Sequence, residues 1–259
     1  MAVEMSDART ALQDEKVSAR IGLLAPPSNV VMEVDFYRSL PTDVTVHTSH
    51  IYRSRTTVSV DAMTETAQNA VETARSLVQT ACDVVMYGHA ASSYTIGVQG
   101  DAQLERVIAA AAGAPALTVA TAIVRCLKSL GMPRVAFVAP YPKGIIDSGA
   151  AFLTDSGLDI RVASGLGIDR VSDLREVSLE TVYELGLRVA SQTQVDALYI
   201  CGTGVHTRGV VGPLERSLKK PVITANLAAL WSCLDRIGQS QHFRFGDSRL
   251  LAWQKERAP

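Results

Sequence analysis

The sequence predicts an α/β fold of two pseudo-twofold-related halves, each a short parallel sheet flanked by helices, with an active site in the cleft between them. Three observations carry this prediction. Short β-rich apolar runs alternate with helical stretches, one set of landmarks recurs in the same order, and unusual polar residues gather just after the strands.

The strands read, in chain order, as Ile21–Ala25, Val44–His47, Asp83–Tyr87, Ala116–Val119, Val135–Val138, Leu158–Val162, Ala197–Ile200 and Val222–Thr224. Between most of them lie helical patterns. The pattern from Asp61 to Ala81 puts Met63, Ala67, Ala70, Val71, Ala74, Leu77 and Val78 on one stripe, the spacing of a helix that buries one face. Helices between strands imply parallel pairing, because a parallel crossover needs a dozen or more residues.

The repeat supplies the domain plan. Leu23-Leu-Ala-Pro-Pro-Ser-Asn29 returns 114 residues later (23 to 137) as Phe137-Val-Ala-Pro-Tyr-Pro-Lys143, and Asp83-Val-Val-Met-Tyr-Gly-His89 returns 113 residues later (83 to 196) as Asp196-Ala-Leu-Tyr-Ile-Cys-Gly202. Pro115-Ala-Leu-Thr118 returns as Pro221-Val-Ile-Thr224, and each leads into a helix with a Cys-Leu pair, Cys126-Leu127 and Cys233-Leu234. The chain therefore divides into an N-terminal extension (1–19), a first half (20–128), a second half (129–237) and a C-terminal segment (238–259). That last segment, with Phe243, Phe245, Leu250, Leu251 and Trp253, is too apolar for a free tail and is expected to dock on its own domain or on another subunit.

Composition narrows the function. Of 259 residues 47% are hydrophobic, enough for a substantial core, while 25 Lys+Arg against 26 Asp+Glu leave a net charge of −1. No basic stripe offers a footprint for nucleic acid. The longest uncharged stretch, Val107 to Val124, is broken by Gly113 and Pro115 and is no membrane span. Residues 1–20 are charged and lack an apolar core, so no secretory signal is read there and a cytoplasmic location is expected. A homo-oligomer is expected too, dimers being the commonest assembly.

The four cysteines, Cys82, Cys126, Cys201 and Cys233, form no CxxC and no zinc-spaced cluster, and no nucleotide fingerprint is visible. Chemistry without metal or cofactor is expected. In open parallel sheets ligands bind beyond the carboxyl ends of the strands, so the loops there hold the candidates. His89 ends a buried strand, where an imidazole can move a proton near neutral pH or serve a purely structural role. Cys201 is either a thiol at the cleft or a small residue packed in the sheet. Gly202-Thr203-Gly204 can turn backbone N–H groups toward an anion, or form a plain turn. Ser92 and Ser93 occupy the mirrored loop and invite the same reading. Ser28 and Asn29 stand between strand and helix, where either serves as an N-cap. Tyr141 sits in the loop that mirrors them, and His206 is a nearby potential cation.

These loops resemble those of the aspartate/glutamate racemase superfamily, in the branch of maleate cis-trans isomerases and arylmalonate decarboxylases. The similarity runs from about residue 20 to 237 and rests on four pieces: Pro26-Pro-Ser-Asn-Val-Val-Met-Glu33, Tyr141 after Val-Ala-Pro, Leu166-Gly-Ile-Asp-Arg-Val171, and Pro221-Val-Ile-Thr-Ala-Asn226 leading toward Trp231. Members that racemise or isomerise use two opposed cysteines, and the decarboxylases use one. Here His89 stands at the first cysteine position, and the second falls on Gly202 or, with a one-residue slip, on Cys201. The resemblance implies that Asn29 and Tyr141 hold a substrate carboxylate. It implies a cofactor-independent isomerase or racemase acting on a small carboxylate or dicarboxylate by proton transfer at carbon. A decarboxylase or other lyase or hydrolase using His89 without a thiol pair is the alternative, as is a carboxylate-binding protein that has lost its chemistry.

Overall fold

All eight apolar runs form strands: β1 (Ala19–Ala25), β2 (Val44–His50), β3 (Val84–Tyr87), β4 (Ala116–Thr118), β5 (Arg134–Ala139), β6 (Asp159–Gly165), β7 (Ala197–Ile200) and β8 (Val222–Thr224). They pair in parallel as two four-stranded sheets with matching orders, β2-β1-β3-β4 and β6-β5-β7-β8. The structure, a computed structural model, describes residues 17–256. Most of the predicted N-terminal extension therefore lies outside the described residues.

Ten α-helices are described: α1 (Met32–Tyr37), α2 (Val60–Ala74), α3 (Ala90–Ala112), α4 (Val119–Ser129), α5 (Lys143–Asp155), α6 (Val171–Leu174), α7 (Leu179–Ser191), α8 (Val211–Leu218), α9 (Ala225–Arg236) and α10 (Leu250–Glu256). The helix predicted over 61–81 tightens to a 3₁₀ turn at Arg75–Thr80 and stops at Ala81, which takes the left-handed conformation with φ 50°. The repeat is visible in the caps. Thr118 accepts from the Thr121 N–H at the start of α4 and Thr224 from the Leu227 N–H at the start of α9, each cap stabilising its helix by about 1 kcal/mol. None of the described helices is long and apolar enough to cross a membrane.

The halves share one core. Tyr94 of α3 reaches the second sheet, with its ring 6.2 Å from Phe137 and its hydroxyl 2.7 Å from that of Tyr199, while Phe137 and Tyr199 stack at 5.3 Å. Burying side chains of this size contributes roughly 1.5–3 kcal/mol each, which fixes the angle between the sheets. The C-terminal segment docks on the second half: Phe243, Phe245 and Leu250 are buried, and the Arg249 N–H and the Trp253 Nε1–H both donate to the buried Glu215 carboxylate.

Candidate active site

The carboxyl ends of six strands, three from each half, converge on one small cavity of about 30 Å³. After β1 come Pro26, Ser28 and Asn29; after β2, Arg53; after β3, His89. The second half adds Tyr141 after β5, Val171 and Leu174 after β6, and Thr203 and Gly204 after β7. This is where parallel sheets place ligand loops, because side chains and free N–H groups there are released from the ladder.

His89 is 8% exposed and follows β3 directly, at the N-terminal boundary of α3. Its Nδ1 lies 2.9 Å from the Ser92 hydroxyl, which also donates to the His89 carbonyl at 2.8 Å and meets the Tyr87 hydroxyl. Ser92 has a single proton to give. With that proton on the carbonyl, its oxygen accepts from Nδ1–H and from Tyr87, and Nε2 is left as a bare acceptor in the cavity. Burial, helped by the positive charge of Arg53, pushes the His89 pKa down to about 3, so the ring is neutral at physiological pH.

Tyr141, Thr203 and Gly204 of the second half share the cavity with His89 and with Asn29 of the first. The Tyr141 hydroxyl is held neutral by burial, its pKa raised well above the usual range. Asn29 has two roles: its Oδ1 accepts from the N–H groups of Val31 and Met32 and sets the start of α1, while its Nδ2 donates to Thr203 Oγ1 at 3.0 Å. Thr203 in turn donates to the Gly88 carbonyl at 3.0 Å. The turn at 203–204 is thereby tied across the cleft to the residue before His89. One Asn29 amide hydrogen remains for a ligand.

The ladder answers the question of register inside the repeat. The Gly88 N–H donates to the Leu24 carbonyl and the Cys201 N–H to the Val138 carbonyl, in equivalent strand pairs. Gly88 therefore mirrors Cys201, and His89 mirrors Gly202. Gly202 has φ 114°, and a Cβ there would come 3.2 Å from the Pro140 ring, so only glycine fits without strain. Cys201 is 1% exposed and is absent from the cavity lining. It borders a separate apolar space with Val138, Pro140, Leu166 and Val205, and burial raises its pKa to about 11 against the lowering effect of hydrogen bonds with Tyr199 and Tyr94.

Of the residues singled out from sequence, Ser28, Asn29, His89, Tyr141, Thr203 and Gly204 line one cavity. Ser92 lies behind it as the partner of the imidazole. Ser93, fully buried beside Asp101, also lies outside the lining, as does Gly202. His206 faces elsewhere, into a larger cleft of about 530 Å³ with Asp35, Arg38 and Arg208. Asp35 is tied to that cleft's inner wall by the Asn226 amide, which also donates to the Thr203 carbonyl. Sequence reasoning missed Arg53, one of two arginines in Tyr52-Arg-Ser-Arg55 and indistinguishable there from solvated surface. Its place just after β2, at a converging strand end, was the available signal.

The profile of the arylmalonate decarboxylase family matches residues 21–251. The arylmalonate decarboxylase of Bordetella bronchiseptica is 28% identical over 233 residues, covering 89% of this chain and 95% of that one. The maleate isomerase of Nocardia farcinica is 28% identical over 226 residues, covering 83% and 88%. A crystal structure of a doubly substituted arylmalonate decarboxylase in its liganded form superposes with a TM-score of 0.81 at 26% identity, covering 90% of this chain and 98% of that one. With its fold, its duplicated loops and its profile in agreement, the chain belongs to the arylmalonate decarboxylase family.

Proposed function

We propose that this protein is a cofactor-independent enzyme that moves a proton at a carbon next to a carboxylate, with His89 as its one acid–base group. The observation that carries the reading is the buried imidazole, which shares one cavity with Tyr141, Asn29 and the Thr203–Gly204 turn and has its Nδ1 held by Ser92. A substrate carboxylate fits against the hydroxyl, the amide hydrogen and the backbone N–H groups, which also stabilise the enolate-like charge that develops. Nε2 takes the carbon-bound proton to leave an enolate and an imidazolium, and the imidazolium returns that proton on the same face to the other end of the conjugated system, a 1,3-shift that moves the double bond and restores the neutral ring. Cys201 takes no part, because its thiol is buried outside the lining and stays protonated.

A second reading has a specific observation behind it. Glycine, not an acid–base residue, mirrors His89, so the site is one-sided. Loss of CO2 leaves a carbanion that needs one proton from one face, and one of the similar proteins is an arylmalonate decarboxylase at 28% identity. Incubation of the protein with a panel of small mono- and dicarboxylic acids in D2O, followed by proton NMR and CO2 detection, separates the readings. Deuterium at carbon with all carboxyls retained supports isomerase-type chemistry, and CO2 release supports the decarboxylase. Binding with neither outcome contradicts both and marks a carboxylate-binding protein without chemistry.

A further inference from the structure

Arg53 is the cation that the described site leaves unexplained. The side chain is part-buried, its Nε is buried without a hydrogen-bond partner, and no carboxylate lies within 4 Å of it among the described residues. Its one hydrogen bond runs from Nη2 to the Thr57 carbonyl at 3.2 Å. Glu65 on α2, the acid whose charge reaches Arg53, is engaged by Ser54 and Arg55. A buried charge left unpaired costs several kcal/mol in general, so folds retain one where something else pairs with it.

The surroundings say where that partner sits. Arg53 lines the same cavity as His89 and Tyr141, and the loop that carries it is clasped to the other half. Thr57 forms an antiparallel bridge with Arg170, the Val58 N–H donates to the Asp169 carbonyl at 2.7 Å, and the Val171 N–H donates to the Thr56 carbonyl at 3.0 Å. Val171 and Leu174, on the short helix α6 that follows the bridge residue Arg170, also line the cavity. The innermost space, about 30 Å³, is small and opens toward solvent beside these residues.

We propose that Arg53 is the specificity determinant of this cavity: carried on the clasp, it pairs with a second anionic group of the ligand, distal to the carboxylate held by Thr203–Gly204 and Tyr141. The inference rests on the reading of the cavity as an active site and adds the residue that selects a dianion over a monoanion. Guanidinium geometry suits a carboxylate, which it meets through paired N–H donors.

Binding tests this without any turnover. Malonate and succinate serve as dianion probes and propionate as the monoanion, each titrated by calorimetry into the wild-type protein, Arg53→Gln and Arg53→Lys. The expected result is at least tenfold weaker dianion binding in Arg53→Gln, partial retention in Arg53→Lys, and propionate binding that differs little among the three. A thermal melt guards against a merely structural role. Without ligand, Arg53→Gln should melt no lower than wild type, because an uncompensated buried charge has been removed, and only the shift produced by malonate should disappear. Equal dianion affinity in wild type and Arg53→Gln, no dianion binding by wild type, or a ligand-free melt lowered by several degrees in Arg53→Gln overturns the proposal. Arg53-dependent binding without chemistry would instead contradict only the catalytic reading.

Discussion

His89 and Cys201 follow equivalent strands of the two sheets, β3 and β7, yet the fold gives them opposite assignments. The imidazole has one nitrogen locked by Ser92 and the other free in the cavity, whereas the thiol is packed among Val138, Pro140 and Val205 and kept protonated by burial. Replacing His89 with Gln should lower turnover by about 10²–10⁴, the usual range for a positioned acid–base group, and leave ligand affinity within a few-fold. Cys201→Ala should keep kcat/KM within about twofold and cost only about 1 kcal/mol of stability. Steady-state kinetics on the substrate identified in D2O checks both; a Cys201→Ala protein that binds but does not turn over would restore a thiol mechanism. The low proton affinity of His89 has its own consequence. Burial first and Arg53 second keep the free ring neutral, and an anion on Arg53 removes the second cause, so the base strengthens as the ligand seats.

At the scale of elements, the ends of the strands were legible from sequence and the clasp above them was not. Leu23–Asn29 with Phe137–Lys143, and Asp83–His89 with Asp196–Gly202, foretold which loops converge, because a repeated strand and turn repeats its ladder. The bridge between Thr57 and Arg170 joins the loops after β2 and β6, which hold equivalent places in the two halves but are not among the repeated landmarks, so no sequence motif announced it or the role of Arg53. The orientation of Cys201 depended on one residue of register, which the Cys201 N–H to Val138 carbonyl bond fixes. His206 was placed with the site by chain proximity alone, and the turn after Val205 carries it into the neighbouring cleft.

A testable element-level feature joins α3 to α4. Asp101, fully buried on α3, accepts from the Thr118 hydroxyl at 2.7 Å, the same hydroxyl that caps α4. Burial raises its pKa to about 6 from 3.8. The folded state thus binds its proton more readily than the unfolded chain, so stability falls as pH rises from about 4 through 6, and above that the cost of the buried charge is fully present. Asp101→Asn keeps an acceptor for Thr118 and removes the charge. Urea denaturation should find it more stable than the parent at pH 8, by at most roughly 3 kcal/mol, with the difference gone near pH 4. A difference independent of pH would show that ionisation of Asp101 is not its source.

Over the whole molecule, duplication brings the imidazole from one lobe within reach of an anion cradle from the other. Three buried contacts hold the lobes in that relation: Asn29 to Thr203 at 3.0 Å, Asn226 to Asp35 at 2.8 Å, and the Tyr94 and Tyr199 hydroxyls at 2.7 Å. The first runs through the site itself and the second is joined to it where Asn226 also donates to the Thr203 carbonyl, so the cleft is braced by residues at and beside it. NMR on protein carrying ¹⁵N in its histidine rings and backbone amides, titrated with malonate at pH 6, tests this arrangement most directly. The account predicts a neutral His89 protonated on Nδ1 before ligand is added, then movement of the His89 ring signals and the Thr203 and Gly204 amide signals along one shared binding curve. An imidazole already charged at that pH, or a His89 signal that stays still while Gly204 responds, would contradict it.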